Sequence, residues 1–443
     1  MLAPPNSPGR TLGRRSGRRS NAWPVVRYRC AKERVVEFGT TVFGGTALRL
    51  GVQMRSGGGF GWLRYIPPLP PRLRRLRPPA PWPDAEAHPP AALRSHAATQ
   101  VDPAAVEAAF ARGRVPDFVA VHSESIKWLL RHSWAWLFAT QPSVKRALGK
   151  SDAARSAPKA DVPAALAPPE LSRLIREEAR RLGISQIGFT RADPRYTFQG
   201  APDPGDTNII VCVLEQDYAA TQTAPSSRAE RSAMMAYAAL ESREADLVRF
   251  ILGLGYFARP NGFGSLEGIA IHYGEQAGLG QLGLNGQLLT PAAGSRARLA
   301  LITTDAPVEL GHPVDYGVPR LCDQCQLCVR RCPPGAIPNV RKPKRGVVKA
   351  SIKPERCLPV VAQTHGCAVC MKVCPVQRYG LDAVHRHYER TGDILGKGSD
   401  ELEGYVWPPD GRYYGPGEKP RITRELISPP GWPFDKDATG EPK

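Results

Sequence analysis

Four cysteines, Cys322, Cys325, Cys328 and Cys332, stand in a C-x2-C-x2-C-x3-C run with Pro333 directly behind. Cys357 follows, and then Cys367, Cys370 and Cys374 are spaced C-x2-C-x3-C ahead of Pro375. Thiolates so spaced on tight loops suit the corners of a [4Fe–4S] cube. Three neighbours fill three corners, and the cysteine before the proline reaches the other cube. This spacing assigns cluster I to Cys322, Cys325, Cys328 and Cys374, and cluster II to Cys332, Cys357, Cys367 and Cys370. The gap from Cys357 to Cys367 is longer than the usual two residues. Zinc and disulfides compete for cysteines, but zinc prefers two separated C-x2-C knuckles. Disulfide frameworks belong to small secreted chains.

Eight of the ten cysteines lie in this stretch, leaving Cys30 and Cys212, a usage that suits a reducing compartment and an expected cytoplasmic location. No run of 18 apolar residues occurs, so no membrane span is expected. The net charge of +19 is uneven. Residues 1–100 hold 17 Lys and Arg against 4 Asp and Glu, which leaves +6 for the rest. Nucleic acid is therefore not an expected partner of the catalytic part. The Arg/Pro/Gly-rich residues 1–100 are expected to be largely disordered, because they bury too little apolar surface to offset their ordering entropy. Their paired arginines lack the apolar stretch of an export signal.

The cysteines need a scaffold in front of them. Residues 101–164 read as a helical segment plus linker, in which Ile126, Leu129, Leu130, Trp134, Leu137 and Phe138 share a face. A basic, Trp-bearing helix over 118–148 suits either docking on its own domain or peripheral contact with an anionic membrane. Residues 165–310 alternate helix and strand. Leu171, Leu174, Ile175 and Leu182 mark a helix, Ile184–Phe189 and Asn208–Leu214 strands, Ala229–Leu254 a long helix and Arg298–Thr304 a third strand. That order predicts an α/β layer domain, followed by a two-cluster module at 311–380 and a tail at 381–443. Cys212 reads as core filler within its strand. Gly278, Gly280 and Gly283 match G-x-G-x-x-G formally, but neither a strand before them nor a suitably placed acid supports a dinucleotide site. A backbone lying close to a large flat ligand explains these glycines better.

Leu254-Gly255-Tyr256, Ala277-Gly278-Leu279-Gly280, Asn285-Gly286 and Gly294-Ser295-Arg296, in that order before the two cysteine groups, resemble the cobalamin-dependent reductive dehalogenases and the epoxyqueuosine reductases. The resemblance covers about residues 165–380. It implies a nitroreductase-like α/β domain that holds a corrinoid, followed by a ferredoxin-like module with two [4Fe–4S] clusters. It also implies cofactor contacts from Gly278, Leu279, Gly280, Gly283, Asn285 and Gly286. Tyr237 matches the family's proton donor, or is an ordinary aromatic of its helix. Asn261 matches the asparagine after Leu-Gly-Tyr, and Arg296 the arginine of Gly-Ser-Arg, which could tune the tyrosine, meet a corrin carboxylate or lie at the surface. A phenol, titrating near ~10 in water, carries its proton at neutral pH, and a nearby guanidinium eases its release. Met234-Met235-Ala236-Tyr237 lacks the Asp-Tyr-His signature of the epoxyqueuosine branch, whereas Leu284 stands where dehalogenases often carry Arg.

The implied activity is reductive cleavage of a carbon–halogen or carbon–heteroatom bond in a small molecule, with electrons from an external low-potential donor such as a ferredoxin, a flavodoxin or a reductase. Two alternatives stay open: a dicluster electron-transfer protein without corrinoid, and a tRNA-modifying enzyme.

Overall fold

The computed structural model describes residues 26–29, 35–38 and 134–427, apart from 162, 164, 199–200, 264–265 and 345–346. The remaining expectations for residues 1–133, including most of the 118–148 helix, lie outside the described residues. Within the head segment, β1 (Val26–Arg29) and β2 (Val35–Phe38) form an antiparallel hairpin by themselves, as their Val-rich ends favour.

The first long helix, α1 (Trp134–Arg155), runs into the stretch that reads as linker. Val144, Ala147, Leu148 and Ala154 are buried, so the described part of this helix packs on its own domain. α2 (Pro168–Arg181) begins at a proline pair, carries Glu170 in its first turn and Arg180 and Arg181 in its last, and stops before Gly183 at φ 77°. Each feature fits the helix dipole or a left-handed stop.

β3 (Gln186–Arg191), β4 (Asn208–Glu215), α3 (Tyr218–Gln222) and α4 (Ser227–Gly253) follow. Ser226 caps α4 by accepting from the Ala229 N–H at 3.1 Å. Next come β5 (Ala258–Asn261), α5 (Ala270–Gln276), the short ribbon β6 (Gln281–Leu282) and β7 (Leu288–Leu289), and β8 (Ala297–Thr304). The sheet order is β3-β4-β8-β5, antiparallel throughout. Sequence patterning overlooks β5, a four-residue edge strand bearing Pro260, which an edge tolerates.

Every residue of β4 is buried, because helices cover both faces. Ile210, Cys212 and Leu214 pack with Ile175, Leu247 and Ile251 on one side, while Ile209 and Val211 pack with Tyr273 and Leu301 on the other. Cys212 is core, as expected, and burial pushes its thiol well up.

Behind the sheet come α6 (Val318–Cys325), α7 (Leu327–Arg331), the ribbon β9 (Lys342–Lys344) and β10 (Val347–Lys349), α8 (Pro354–Gln363), α9 (Val369–Lys372) and α10 (Pro375–Tyr379). The described part of the stretch read as a tail, residues 381–427, packs into the fold. α11 (Leu381–Thr391) buries Leu381 and Val384, and Leu402, Tyr405, Trp407 and Tyr414 join the same core as Cys325, Cys367 and Cys374. Arg331, fully buried, donates to the carbonyl of Glu403 at 2.9 Å and ties α7 to this segment. Residues 402–414 therefore wall the cluster module.

Candidate functional site

The two cysteine groups are local repeats. α6 carries Cys322 and Cys325, Gln326 turns the chain at φ 53°, and α7 then presents Cys328. In the second group Ala368 turns at φ 56° after Cys367, and α9 presents Cys370. Cys332 closes α7 before Pro333, and Cys374 opens α10 before Pro375, both in extended conformation. Left-handed backbone at Gln326 and Ala368 costs about 1–2 kcal/mol per residue and persists because the loops must turn their thiols inward.

Packing sorts the eight cysteines into the two quartets assigned from spacing. Cys322, Cys325, Cys328 and Cys374 line one narrow space of about 20 Å³, walled by Leu284, Leu289, Leu321 and Val376. Cys332, Cys357, Cys367 and Cys370 line a separate cavity of about 390 Å³. Burial pushes the Cys325, Cys357, Cys367 and Cys374 thiols up to about 12, and those of Cys328 and Cys370 well up as well. Such thiols hold their protons until a metal's charge replaces them, which suits ligands of a buried cluster.

A backbone N–H also aims at sulfur: Ala336 donates to Cys332 at 3.3 Å. Bonds of this kind tune cluster potentials.

The larger cavity reaches from cluster II into the α/β layer. Glu230, Ala233, Met234 and Tyr237 line it from one face of α4, at the i, i+3, i+4 and i+7 positions. Tyr237 stacks on Phe263 at 4.9 Å between ring centroids, and the Arg298 guanidinium lies 5.1 Å from the Tyr237 ring centre. Arg298 donates to Gln216 Oε1 and reaches Met371 Sδ at 3.9 Å. Asn285 and Gln287 complete the polar part of the wall.

The remaining residues singled out from sequence sit elsewhere. Arg296 is buried beside Glu215 at 3.6 Å, donates to the Gln216 carbonyl and lies over Tyr218. The arginine at Tyr237 is Arg298, two residues further on. Asn261 Oδ1 accepts from the Glu267 N–H at 2.6 Å, and its own N–H donates to Glu244 at 2.8 Å. It therefore anchors the loop that presents Phe263 and does not line the cavity.

The glycine loop meets protein, not open space. A Cβ on Gly278 would lie 2.7 Å from the His312 carbonyl oxygen, and one on Gly280 2.5 Å from that of Leu289. Gly283 would meet Leu289 and Asn285, while Gly286 turns at φ 72° against Ile352. Leu279 packs in the α5 face of the sheet core. Of the six residues expected to cradle a cofactor, Asn285 alone lines the cavity. Arg298, Phe263, Gln287 and Met371 were missed. Their placement depends on strand register and on the docking of the second cysteine loop, and no local motif marks either.

An antiparallel sheet clad by helices and followed by two cysteine quartets defines a two-cluster iron–sulfur protein. Residues 321–378 match the family model of the 4Fe-4S dicluster domain. Among characterised proteins, the tetrachloroethene reductive dehalogenase of Desulfitobacterium hafniense is 32% identical over 175 residues, covering 40% of this chain and 30% of that protein. The enzyme of the same name from Sulfurospirillum multivorans is 28% identical over 291 residues, covering 54% and 57%. Epoxyqueuosine reductase of Synechococcus sp. (strain RCC307) is 36% identical over 108 residues, covering 23% and 33%.

Among solved structures, the catabolic reductive dehalogenase NpRdhA with 3-bromo-4-hydroxybenzoic acid superposes with a TM-score of 0.52 at 22% identity, over 60% of this chain and 42% of that one, a likeness of fold. The chain thus spans 30% to 57% of the length of these curated relatives. It is an iron–sulfur protein similar to reductive dehalogenases and epoxyqueuosine reductases. Among the described residues no helix is long and apolar enough to cross a membrane.

Proposed function

We propose that this chain is a reductase in which clusters I and II carry electrons to a corrinoid at the α/β cavity, where a carbon–halogen or carbon–heteroatom bond of a small molecule is cleaved. The observation that carries this reading is the single cavity shared by Tyr237, Arg298 and the four cluster II cysteines. The cavity's buried Gln287 Oε1 and Arg298 Nε have no hydrogen-bond partner among the described residues, and a macrocycle edged with amides would supply partners to both. When bound, the corrinoid supplies the cobalt chemistry that breaks the bond.

The overall change consumes two electrons and one proton, replacing the leaving group by hydrogen and releasing it as an anion. Each cluster relays one electron at a time. Tyr237 holds the proton at its phenolic oxygen, and Phe263 and Arg298 fix its ring. Met234, Phe263, Ile337, Ile352 and Met371 keep water from the cavity.

A second reading, an electron-transfer protein without corrinoid, draws on the glycine loop, whose close approaches are taken up by the chain's own His312 and Leu289 carbonyls. Anaerobic reconstitution with iron, sulfide and cobalamin, followed by metal analysis, decides between the two. Stoichiometric cobalt beside two clusters is expected. Full iron with no retained cobalt would leave the electron carrier.

A further inference from the structure

The segment between Cys332 and Cys357 carries seven Lys and Arg against one Glu. Its middle forms the β9–β10 ribbon, a connection that an iron–sulfur loop does not need in order to close. The ribbon is not adrift. Arg341 pairs with Asp323 at 3.0 Å and donates to the carbonyls of Pro319 and Leu282, while Gln326 donates to the Asn339 carbonyl at 2.9 Å. Asp323 and Gln326 belong to the cluster I loop, between and beside Cys322 and Cys325. The ribbon is therefore pinned to the cluster that lies away from the cavity.

What this arrangement exposes is cationic. Lys342 and Lys344, two apart on β9, are exposed, as are Arg320 and Arg330 on the cluster I helices. None of the four takes part in an ion pair among the described residues, and the nearby Asp323 is already matched by Arg341. Arg330 donates to the carbonyl of Cys325 at 2.7 Å, which puts one of these cations directly at a cluster I ligand. Val340, two residues before Lys342, is 51% exposed and adds an apolar spot to the basic stretch. Cations together with an exposed apolar side chain suit a transient protein contact.

We propose that Arg320, Arg330, Lys342 and Lys344 form the landing surface of an acidic electron-donor protein, which passes electrons to cluster I. The proposal deepens the reductase reading by naming where electrons arrive, and it rests on that reading only for the direction of flow. In each transfer the donor is oxidised by one electron and cluster I is reduced by one, with no bond made or broken. Cluster II, on the cavity wall, is next in line.

The test uses full-length protein with both clusters reconstituted, mixed in a stopped-flow instrument with a reduced, strongly acidic [2Fe–2S] ferredoxin. Bleaching of the visible absorption of the clusters is followed. The second-order rate is expected to fall steeply with added salt, and in Lys342→Glu/Lys344→Glu it is expected to drop at least about ten-fold at low salt and lose most of its salt dependence. Lys342→Gln/Lys344→Gln follows with a smaller drop. Photoreduced deazaflavin, a small donor that needs no docking, should bleach all three proteins alike.

An unchanged ferredoxin rate in the Glu variant overturns the proposal, as does a variant equally slow with deazaflavin. If the variant loses affinity for an RNA stem-loop but keeps its ferredoxin rate, the surface serves nucleic acid and the proposal is wrong. A parent protein that takes no iron instead sinks the reductase reading, which keeps the two failures apart.

Discussion

Clusters I and II have the same ligand chemistry and nearly the same loops, yet their surroundings differ. The cluster I quartet borders about 20 Å³ of space and is packed by aliphatic side chains. The cluster II quartet borders about 390 Å³ and faces Tyr237, Arg298 and Phe263. The larger space has to house the cluster II cube itself, and what it leaves open lies on the side of Tyr237, Arg298 and Phe263. The two quartets therefore differ in what they face: one is closed in by aliphatic side chains, and the other meets the α/β layer. Spacing alone does not separate the two surroundings, because both ligand sets use the same loop geometry; the packing of the second cysteine group against α4 does.

The largest effect should come from removing one ligand from each quartet. Cys370→Ala is expected to abolish cluster II, leave about four irons per chain and stop electrons at cluster I. Cys374→Ala should remove cluster I and leave cluster II intact but slow to reduce with a protein donor. Iron analysis with low-temperature electron paramagnetic resonance reads both. If either substitution empties both sites, the two halves are not separable and the comparison fails.

The cavity side is sharpened by Tyr237→Phe. Its expected signature is a fall in turnover of about 10²–10⁴-fold, the usual worth of a positioned proton donor, with iron content unchanged. Anaerobic turnover of whichever organohalide the parent protein reduces, read as halide release, is the measurement. A fall below ten-fold would leave Tyr237 as a ring that merely packs on Phe263.

Much of this was legible from residues alone, and the limits have physical causes. The eight cysteines were readable because thiolate spacing on a tight loop is dictated by the cube. β4 and α4 were readable because a fully apolar run and a capped helical stripe each have one good solution. Choosing between Arg296 and Arg298 was not, since both flank Gln216. Which one meets Tyr237 follows from the pairing of Glu215 with Ala297 and Leu214 with Arg298. The glycines marked a close approach correctly but not its partner, because a carbonyl oxygen and a flat ligand demand the same missing Cβ. The wall formed by Tyr405, Trp407 and Tyr414 hid inside a Pro- and Gly-rich stretch whose short elements leave no period to detect.

The two arginines make a middle-sized test. Arg296 and Glu215 are both almost fully buried, so Arg296→Met strands a carboxylate that burial already pushes up in pKa. A loss of about 3–5 kcal/mol is expected from breaking such a pair, reduced in so far as Glu215 takes up a proton. That loss should grow as pH rises, because the neutral carboxyl is the form the buried site tolerates. Arg298→Met should cost less stability and act instead on turnover through Tyr237. Denaturant unfolding of the reconstituted proteins at two pH values, set beside single-turnover rates, separates the roles. Equal effects on both readouts would undo the distinction between scaffold and cavity wall.

The smallest effect tests the repeat itself. Gln326 and Ala368 hold the same left-handed turn, at φ 53° and 56°. Glycine at either position removes about 1–2 kcal/mol of steric cost and gives back about 0.4–1 kcal/mol through the freer unfolded chain. Ala368→Gly should thus stabilise by about 0.5–1 kcal/mol. Gln326→Gly gains the same but loses the side-chain hydrogen bond to the Asn339 carbonyl, worth about 0.5–1.5 kcal/mol, and should come out near zero. The unequal outcome is informative, since the lost bond is one of those pinning the basic ribbon to cluster I. Unfolding midpoints of the two variants, measured with clusters in place, would contradict this account if Gln326→Gly gained as much as Ala368→Gly.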